Sequence, residues 1–272
     1  MSAGNGGWEL PISEGELSRL TGELDQAHRE YLPRMHAAAA ELTEELRDTR
    51  PDPAGVERLR TGSRRGFLLG AGGVAAALAL AACSSTSTRN AVGATGASAS
   101  ASGGLYSGDL KLVALATALE NQAVGAYGAA LAAAKAGKLG TVPPAVATFA
   151  TTAMAQHQDH AKAWNAVLTG AGKPPITGVP LSNQPATVKA LGAAASAGAV
   201  AQLALELENQ AAQTYLVATY NVSSAGGIAT AASIAPVEAM HAAILNFVLG
   251  QYPVPDDFLP TDKAASPALL TV

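Results

Sequence analysis

The sequence contains one cysteine, Cys83, in 272 residues, so neither an internal disulfide framework nor a cysteine-based zinc site is available to it. Aromatic residues make up only 4% and charged residues only 14%. Net charge is −4 and no basic block occurs, which argues against nucleic acid as a partner. A long hydrophobic run is also missing from the first part of the chain. The most apolar early stretch, Gly66 to Ala82, has 17 residues, is rich in Gly and Ala, and is short for a stable membrane span. Alanine and glycine fill the space these residues leave, and long alanine-rich stretches favour helix over strand. The sparse charge is unevenly spread. Residues 1–82 hold 9 Lys+Arg and 12 Asp+Glu, whereas the longer stretch 84–272 holds 8 and 9. The two parts therefore read as segments of different kinds.

The boundary between them has the form of a targeting segment. Residues 63–69 read Ser-Arg-Arg-Gly-Phe-Leu-Leu, and the apolar run ends at Leu80-Ala81-Ala82-Cys83. Arg64 and Arg65 before a weakly apolar stretch resemble a twin-arginine export signal. Leu-Ala-Ala-Cys resembles a lipobox, in which Cys83 would be acylated and become the mature N-terminus. The competing reading is a plain single-span anchor with an incidental cysteine. Upstream, residues 1–62 read as a helical extension, either cytoplasmic or the product of a misassigned start. Ser13 and Glu16 fit a capping box, and Leu17, Leu20, Leu24 and Tyr31 recur at helical spacing. Pro33 should interrupt this helix, with a second stretch reaching about Asp48. His28 and His36 read as solvated. Residues 84–106, rich in Ser, Thr, Ala and Gly, bury too little apolar surface to fold and read as a flexible tether.

The remainder, 107–251, divides into four helices, with a C-terminal tail over 252–272. The first helix covers about 108–136 and stops at Gly137. The second starts near Thr141 as N-cap, with Pro143 and Pro144 in its first turn, and runs to about Gly170. A Pro- and Gly-rich connection follows, with a short helical piece near 186–195. The third helix covers about 198–221 and the fourth about 228–250, before Pro253 and Pro255. Loops that are short, long and short predict an all-α, antiparallel four-helix bundle whose chain crosses the bundle between its second and third helices.

An internal repeat carries the chemistry. Leu119-Glu120-Asn121-Gln122-Ala123, with Tyr127 seven after the Glu, recurs 88 residues later as Leu207-Glu208-Asn209-Gln210-Ala211, with Tyr215. His157-Gln158-Asp159-His160 corresponds to Glu238-Ala239-Met240-His241 at an offset of 81. Residues at i and i+3 share a helical face, so each such pair offers two ligands to one region. Glu120 and Glu208 lie on otherwise small, apolar faces, where a lone buried carboxylate costs several kcal/mol unless paired or metal-bound. Glu206 should point outward. Of the three His in 84–272, all fall on motif positions, as do three of the four Glu. The competing reading is a metal-free core of polar residues paired with one another. Tyr127, Tyr215, Met154 and Trp164 read as packing, and Asp159 as surface or a neighbour of the site.

One Glu on each of two helices with Glu-x-x-His on each of the other two resembles the di-iron carboxylate pattern of ferritin-like bundles. The chain looks like the exported, twin-arginine-dependent ferritin-like domain proteins of bacteria, over roughly residues 108–250. The resemblance implies Glu120, His160, Glu208, Glu238 and His241 as metal ligands, with His157 standing where the pattern has Glu. Four carboxylates would balance two divalent ions, whereas three leave about one positive charge in excess. The cofactor implied is iron, as one ion or two, with zinc or manganese as alternatives and none if the site is degenerate.

Three functions follow as expectations. The first is an exported metal-binding protein, ferroxidase-like or able to reduce peroxide or oxygen, tethered to the outer face of the cytoplasmic membrane by its signal segment or lipid anchor. Its partners would be that membrane and the twin-arginine export machinery, and a homodimer is compatible. The second is a non-catalytic envelope lipoprotein that uses the bundle as a structural or interaction module. The third, iron storage in a closed cage, is disfavoured by the tether.

Overall fold

The computed structural model describes residues 9–48, 104–256 and 258–272, which are helical throughout their main elements. The proposed export signal with Arg64 and Arg65, the lipobox with Cys83 and the tether up to residue 103 lie outside the described residues. Six α-helices occur among the described residues: α1 Glu14–Asp48, α2 Asp109–Lys135, α3 Pro144–Gly170, α4 Gln184–Ala193, α5 Ala197–Asn221 and α6 Ala225–Val248. No strand forms among them, and one isolated bridge pairs Leu181 with Leu270.

The bundle consists of two hairpins, α2–α3 and α5–α6, which meet mainly along α2 and α5. Gly137, at φ 70°, ends α2 in the left-handed conformation that glycine adopts without strain. Helix α3 begins at Pro144 with Pro143 at its N-cap, two residues beyond the expected Thr141. Proline's fixed φ suits that entry, and its missing N–H is no loss there. Between α3 and α5 the chain crosses the bundle, carrying α4. Asn121 and Gln122 of the repeat hold this crossover: Asn121 Nδ2 donates to the carbonyls of Ile176 and Gly178, and Gln122 Nε2 to Gln184 Oε1. The tail is fastened by Lys263 N donating to Gln213 Oε1 and Ala265 N to Thr214 Oγ1. The predicted all-α, antiparallel bundle with a long crossover is the fold observed.

The N-terminal segment differs from expectation in two ways. Pro33 does not divide it: α1 is one helix of 35 residues with Pro33 inside. An interior proline costs about 3 kcal/mol, which packing on both sides of Pro33 offsets. Buried Leu17, Leu24 and His28 precede it, and buried Met35, Ala38, Ala39 and Leu42 follow. Helix α1 also lies against the bundle, packing on α3 and α6, which barely touch each other. It covers their seam. Its ends are tied to helix termini: Glu14 Oε2 accepts from Ala145 N at the start of α3, and Arg47 Nε donates to Gly170 O at its end. Glu45 accepts from Ala225 N and Gly226 N at the start of α6. Helix α1 thus runs parallel to α3 and antiparallel to α6.

Gly226 permits the closest approach. A Cβ there would lie 2.3 Å from Leu42 N and 2.7 Å from Ala38 O, both backbone atoms of α1. Gly226→Val is therefore expected to lower stability by about 1–3 kcal/mol and to expose residues 14–48 to limited proteolysis. An unchanged midpoint and digestion pattern would show that α1 is not held at this contact.

The core falls into two apolar clusters. One contains Met35, Leu42, Leu115, Trp164, Leu168 and Ile234. The other contains Leu17, Leu24, Tyr127, Phe149, Leu205 and Leu245. On α1, α2, α3 and α6 the sequence passes from one cluster to the other, and the residue between is polar: His28, Glu120, His157 with His160, and Glu238 with His241. A buried polar layer therefore separates the two clusters.

Candidate metal centre

All six residues singled out from the repeat, Glu120, His157, His160, Glu208, Glu238 and His241, meet in this layer, each no more than 1% exposed. Glu206 is exposed on the far side of α5, as the helical period requires. Glu120, His157, His160 and Glu238 form one group whose ligand atoms lie within 4.8 Å of one another. His157, Glu208, Glu238 and His241 form a second with the same spread. His157 and Glu238 belong to both.

The geometry follows the repeat. His160 Nδ1 lies 2.9 Å from Glu238 Oε1 and 3.6 Å from Glu120 Oε2. His241 Nδ1 lies 3.2 Å from Glu238 Oε2 and 3.3 Å from Glu208 Oε2. His157 Nδ1 lies 2.7 Å from Glu120 Oε2, and its Nε2 lies 3.1 Å from Glu208 Oε1. The tyrosines cross between halves: the Tyr127 hydroxyl donates to Glu208 and the Tyr215 hydroxyl to Glu120. Trp164 Nε1 donates to the Tyr215 oxygen at 2.9 Å. Tyr127, Tyr215 and Trp164, expected only to pack, therefore also fix the carboxylates of Glu208 and Glu120. The signal was the seven-residue spacing from Glu to Tyr, which places both on one face.

Two outer contacts were not anticipated. His241 Nε2 donates to Gln156 Oε1 at 2.8 Å, which leaves Nδ1 facing the carboxylates. His160 Nε2 lies 3.3 Å from His28 Nε2. By analogy with His241, the His160 nitrogen carries the proton and His28 accepts it. His28, expected to be solvated, is only 6% exposed. It lies four residues after Leu24 and seven before Met35, on the buried stripe of α1, whereas Tyr31, chosen for that stripe, is 56% exposed. His36 is exposed as expected.

The electrostatics are those of a dry cluster of opposite charges. Burial alone would favour neutral Glu120, but the charge and hydrogen bonds of His160 and His157 bring its pKa down to about 2. Burial likewise opposes ionisation of Glu208, yet His157 and His241 hold it well below the carboxylate range. Burial would make His160 neutral, but Glu120 and Glu238 raise it to about 9. His157 is raised well above its usual value, against burial, by Glu238, Glu208 and Glu120. His28 moves the other way, to about 4, through burial and the charge on His160, and so is the neutral acceptor. Burial and the nearby carboxylates keep Tyr127 and Tyr215 protonated as donors.

The residues present fit a bound cation. Glu238 Oε1 and His160 Nδ1 are buried and 2.9 Å apart, yet neither has a partner in hydrogen-bond geometry. Both atoms belong to the first ligand group, where a shared cation, displacing the His160 proton, would give each a partner. Imidazole nitrogens and carboxylate oxygens are ligands that iron, zinc and manganese accept, and the outer contacts of His160 and His241 fix which nitrogen faces inward.

Comparison with curated proteins and with solved structures returned no match. A family model described as ferritin-like domain matches residues 108–251, from the first turn of α2 to just past the end of α6. The match contains every helix that contributes a Glu or His to the two ligand groups, and leaves out α1. With the paired hairpins, the crossover and the shared interior of Glu and His in place, the chain belongs to the ferritin-like domain family.

Proposed function

We propose that this chain binds iron in the core of its ferritin-like bundle and uses it in ferroxidase or peroxide- and oxygen-reducing chemistry outside the cytoplasmic membrane. The observation that carries the reading is the convergence of three carboxylates and three imidazoles, contributed by four helices, on one buried layer. Iron held there would supply one-electron oxidation of Fe(II) coupled to reduction of dioxygen or peroxide. Glu120, His160 and Glu238 would hold one ion, and Glu208, His241 and Glu238 a second, with His157 between. Tyr127 and Tyr215 keep protons on hydroxyls that touch the ligand carboxylates. Gln156 orients His241, and His28 orients His160 for as long as α1 stays docked on the bundle. Beside the site an apolar recess of about 50 Å³, lined by Tyr127, Phe149, Ala204 and Leu245 among others, suits dioxygen in size and polarity. Export and tethering are supported by Arg64-Arg65 and Leu80-Ala81-Ala82-Cys83 alone. The segment would engage the twin-arginine machinery and leave the bundle lipid-anchored through Cys83.

A second reading has its own support. His157 pairs with a carboxylate at each nitrogen, so as an imidazolium it can neutralise the cluster without metal, in a non-catalytic envelope module. Elemental analysis after anaerobic Fe(II) loading separates the two, with a Glu120→Ala/Glu208→Ala double variant as reference. Iron bound by the wild type and lost in the variant supports the first reading; no iron in the wild type eliminates it.

A further inference from the structure

The residue that departs from the family pattern sits at the centre of the site. His157 and Glu238 occupy corresponding positions in the two halves of the repeat, and each belongs to both ligand groups. Glu238 turns Oε1 to His160 and Oε2 to His241. His157 does the equivalent with its ring, Nδ1 toward Glu120 and Nε2 toward Glu208. A histidine that serves one ion turns its other nitrogen to a partner outside the site, as His160 does to His28 and His241 to Gln156. His157 has no such outward contact: its two nitrogens face the two ligand groups.

We propose that His157 bridges two metal ions, giving Nδ1 to an ion held by Glu120 and His160 and Nε2 to an ion held by Glu208 and His241. This rests on the metal-binding reading above. Both ring protons leave to solvent as the two ions bind, and the ring remains as imidazolate. The charge count supports it. Three carboxylates leave two divalent ions with one positive charge in excess, in a layer where every ligand is at most 1% exposed and uncompensated charge is costly. The imidazolate supplies the fourth negative charge. His157 thus replaces the family's glutamate as a bridge of equal charge but longer span. Two-metal sites commonly hold their ions about 3.5–4 Å apart. An imidazole binds from opposite sides of its ring, through metal–nitrogen bonds of about 2.0–2.1 Å for zinc, which sets the ions further apart.

The test uses the full chain loaded with Cu(II), a spin-bearing ion that favours imidazole, with copper per chain measured by elemental analysis against the Glu120→Ala/Glu208→Ala double variant. The expected result is two site-specific copper ions whose paramagnetic resonance intensity falls well short of two independent spins, because the ring couples them. His157→Gln should restore full intensity per bound copper. Two ions with additive intensity in the wild type, or a single ion, overturn the bridge and leave the metal reading standing. So does coupling that survives in His157→Gln, which would assign it to Glu238. No site-specific copper overturns both readings. Should His157→Gln fail to fold, anomalous scattering from zinc in wild-type crystals decides: a separation beyond about 4 Å supports the bridge, and a shorter one overturns it.

Discussion

Glu238→Ala is expected to empty both halves of the metal centre, whereas Glu120→Ala and Glu208→Ala should each empty one. Glu238 is the carboxylate common to both ligand groups, with one oxygen near His160 and the other near His241. Glu120 and Glu208 each serve a single group. The readout is metal per chain after loading and gel filtration: near zero for Glu238→Ala, and half the wild-type value for each of the others. The metal-free protein should also suffer most from Glu238→Ala. Removing one partner of a buried ionic pair leaves the other uncompensated, at about 3–5 kcal/mol, and Glu238 lies beside all three site histidines. A Glu238→Ala protein that still binds one ion at wild-type affinity would show that the carboxylate is not shared.

The second large effect is on the pH dependence of stability, and its sign depends on metal. In the metal-free protein His160 titrates at about 9, against a reference value of 6.5. The folded state therefore binds more protons than the unfolded state between those values. That contribution is complete below pH 6.5 and is lost as pH rises through 9, on the order of 3 kcal/mol from this group alone. Raised His157 and His241 add in the same direction. With metal bound, the inward nitrogens are taken by ions, and binding releases protons, so alkaline pH favours the loaded state. Thermal unfolding of chelator-treated protein should thus show a midpoint that falls between pH 6.5 and 9, while zinc-loaded protein holds level or rises. At the acid end Glu120, depressed to about 2, contributes stability above its reference value of 4.5 that is lost as pH falls toward 2. Parallel curves for the two forms on the alkaline side would mean that the histidines are not where metal binds.

The bundle and the six inward residues were legible because the chain states them twice. An 88-residue repeat with Glu and Tyr, and an 81-residue repeat ending in His, fix four helices and a common interior without any structure. Loop lengths then gave the crossover. Helix α1 was not legible as part of this body. It has no counterpart in the repeat, and its stripe of Leu17, Leu24, His28 and Met35 is interrupted by Pro33, where local propensity and tertiary packing disagree. That disagreement also hid His28, since a histidine in a charged segment gives no sign of burial until a partner surface is known. The hydroxyl contacts of Tyr127 and Tyr215 were half visible: their spacing placed them on the face of each Glu, but that each reaches the carboxylate of the opposite half depends on how α2 and α5 meet. For His157, sequence marked the departure from pattern, and only the placement of both nitrogens shows how a ring can stand in for a carboxylate.

The docking of α1 on the α3–α6 seam bears on membrane topology. Helix α1 and the bundle are joined through residues 49–103, the stretch that includes Arg64, Arg65 and Cys83. A single crossing there would set the two on opposite faces of the bilayer, and cleavage before Cys83 would part them altogether. In either event His160 loses its contact with His28, and the apolar wall facing Leu17, Leu24 and Leu42 is laid open to solvent or to a new neighbour. The closed seam is that of the undivided chain, and the proposed export of the bundle alone would convert a sealed site into an accessible one.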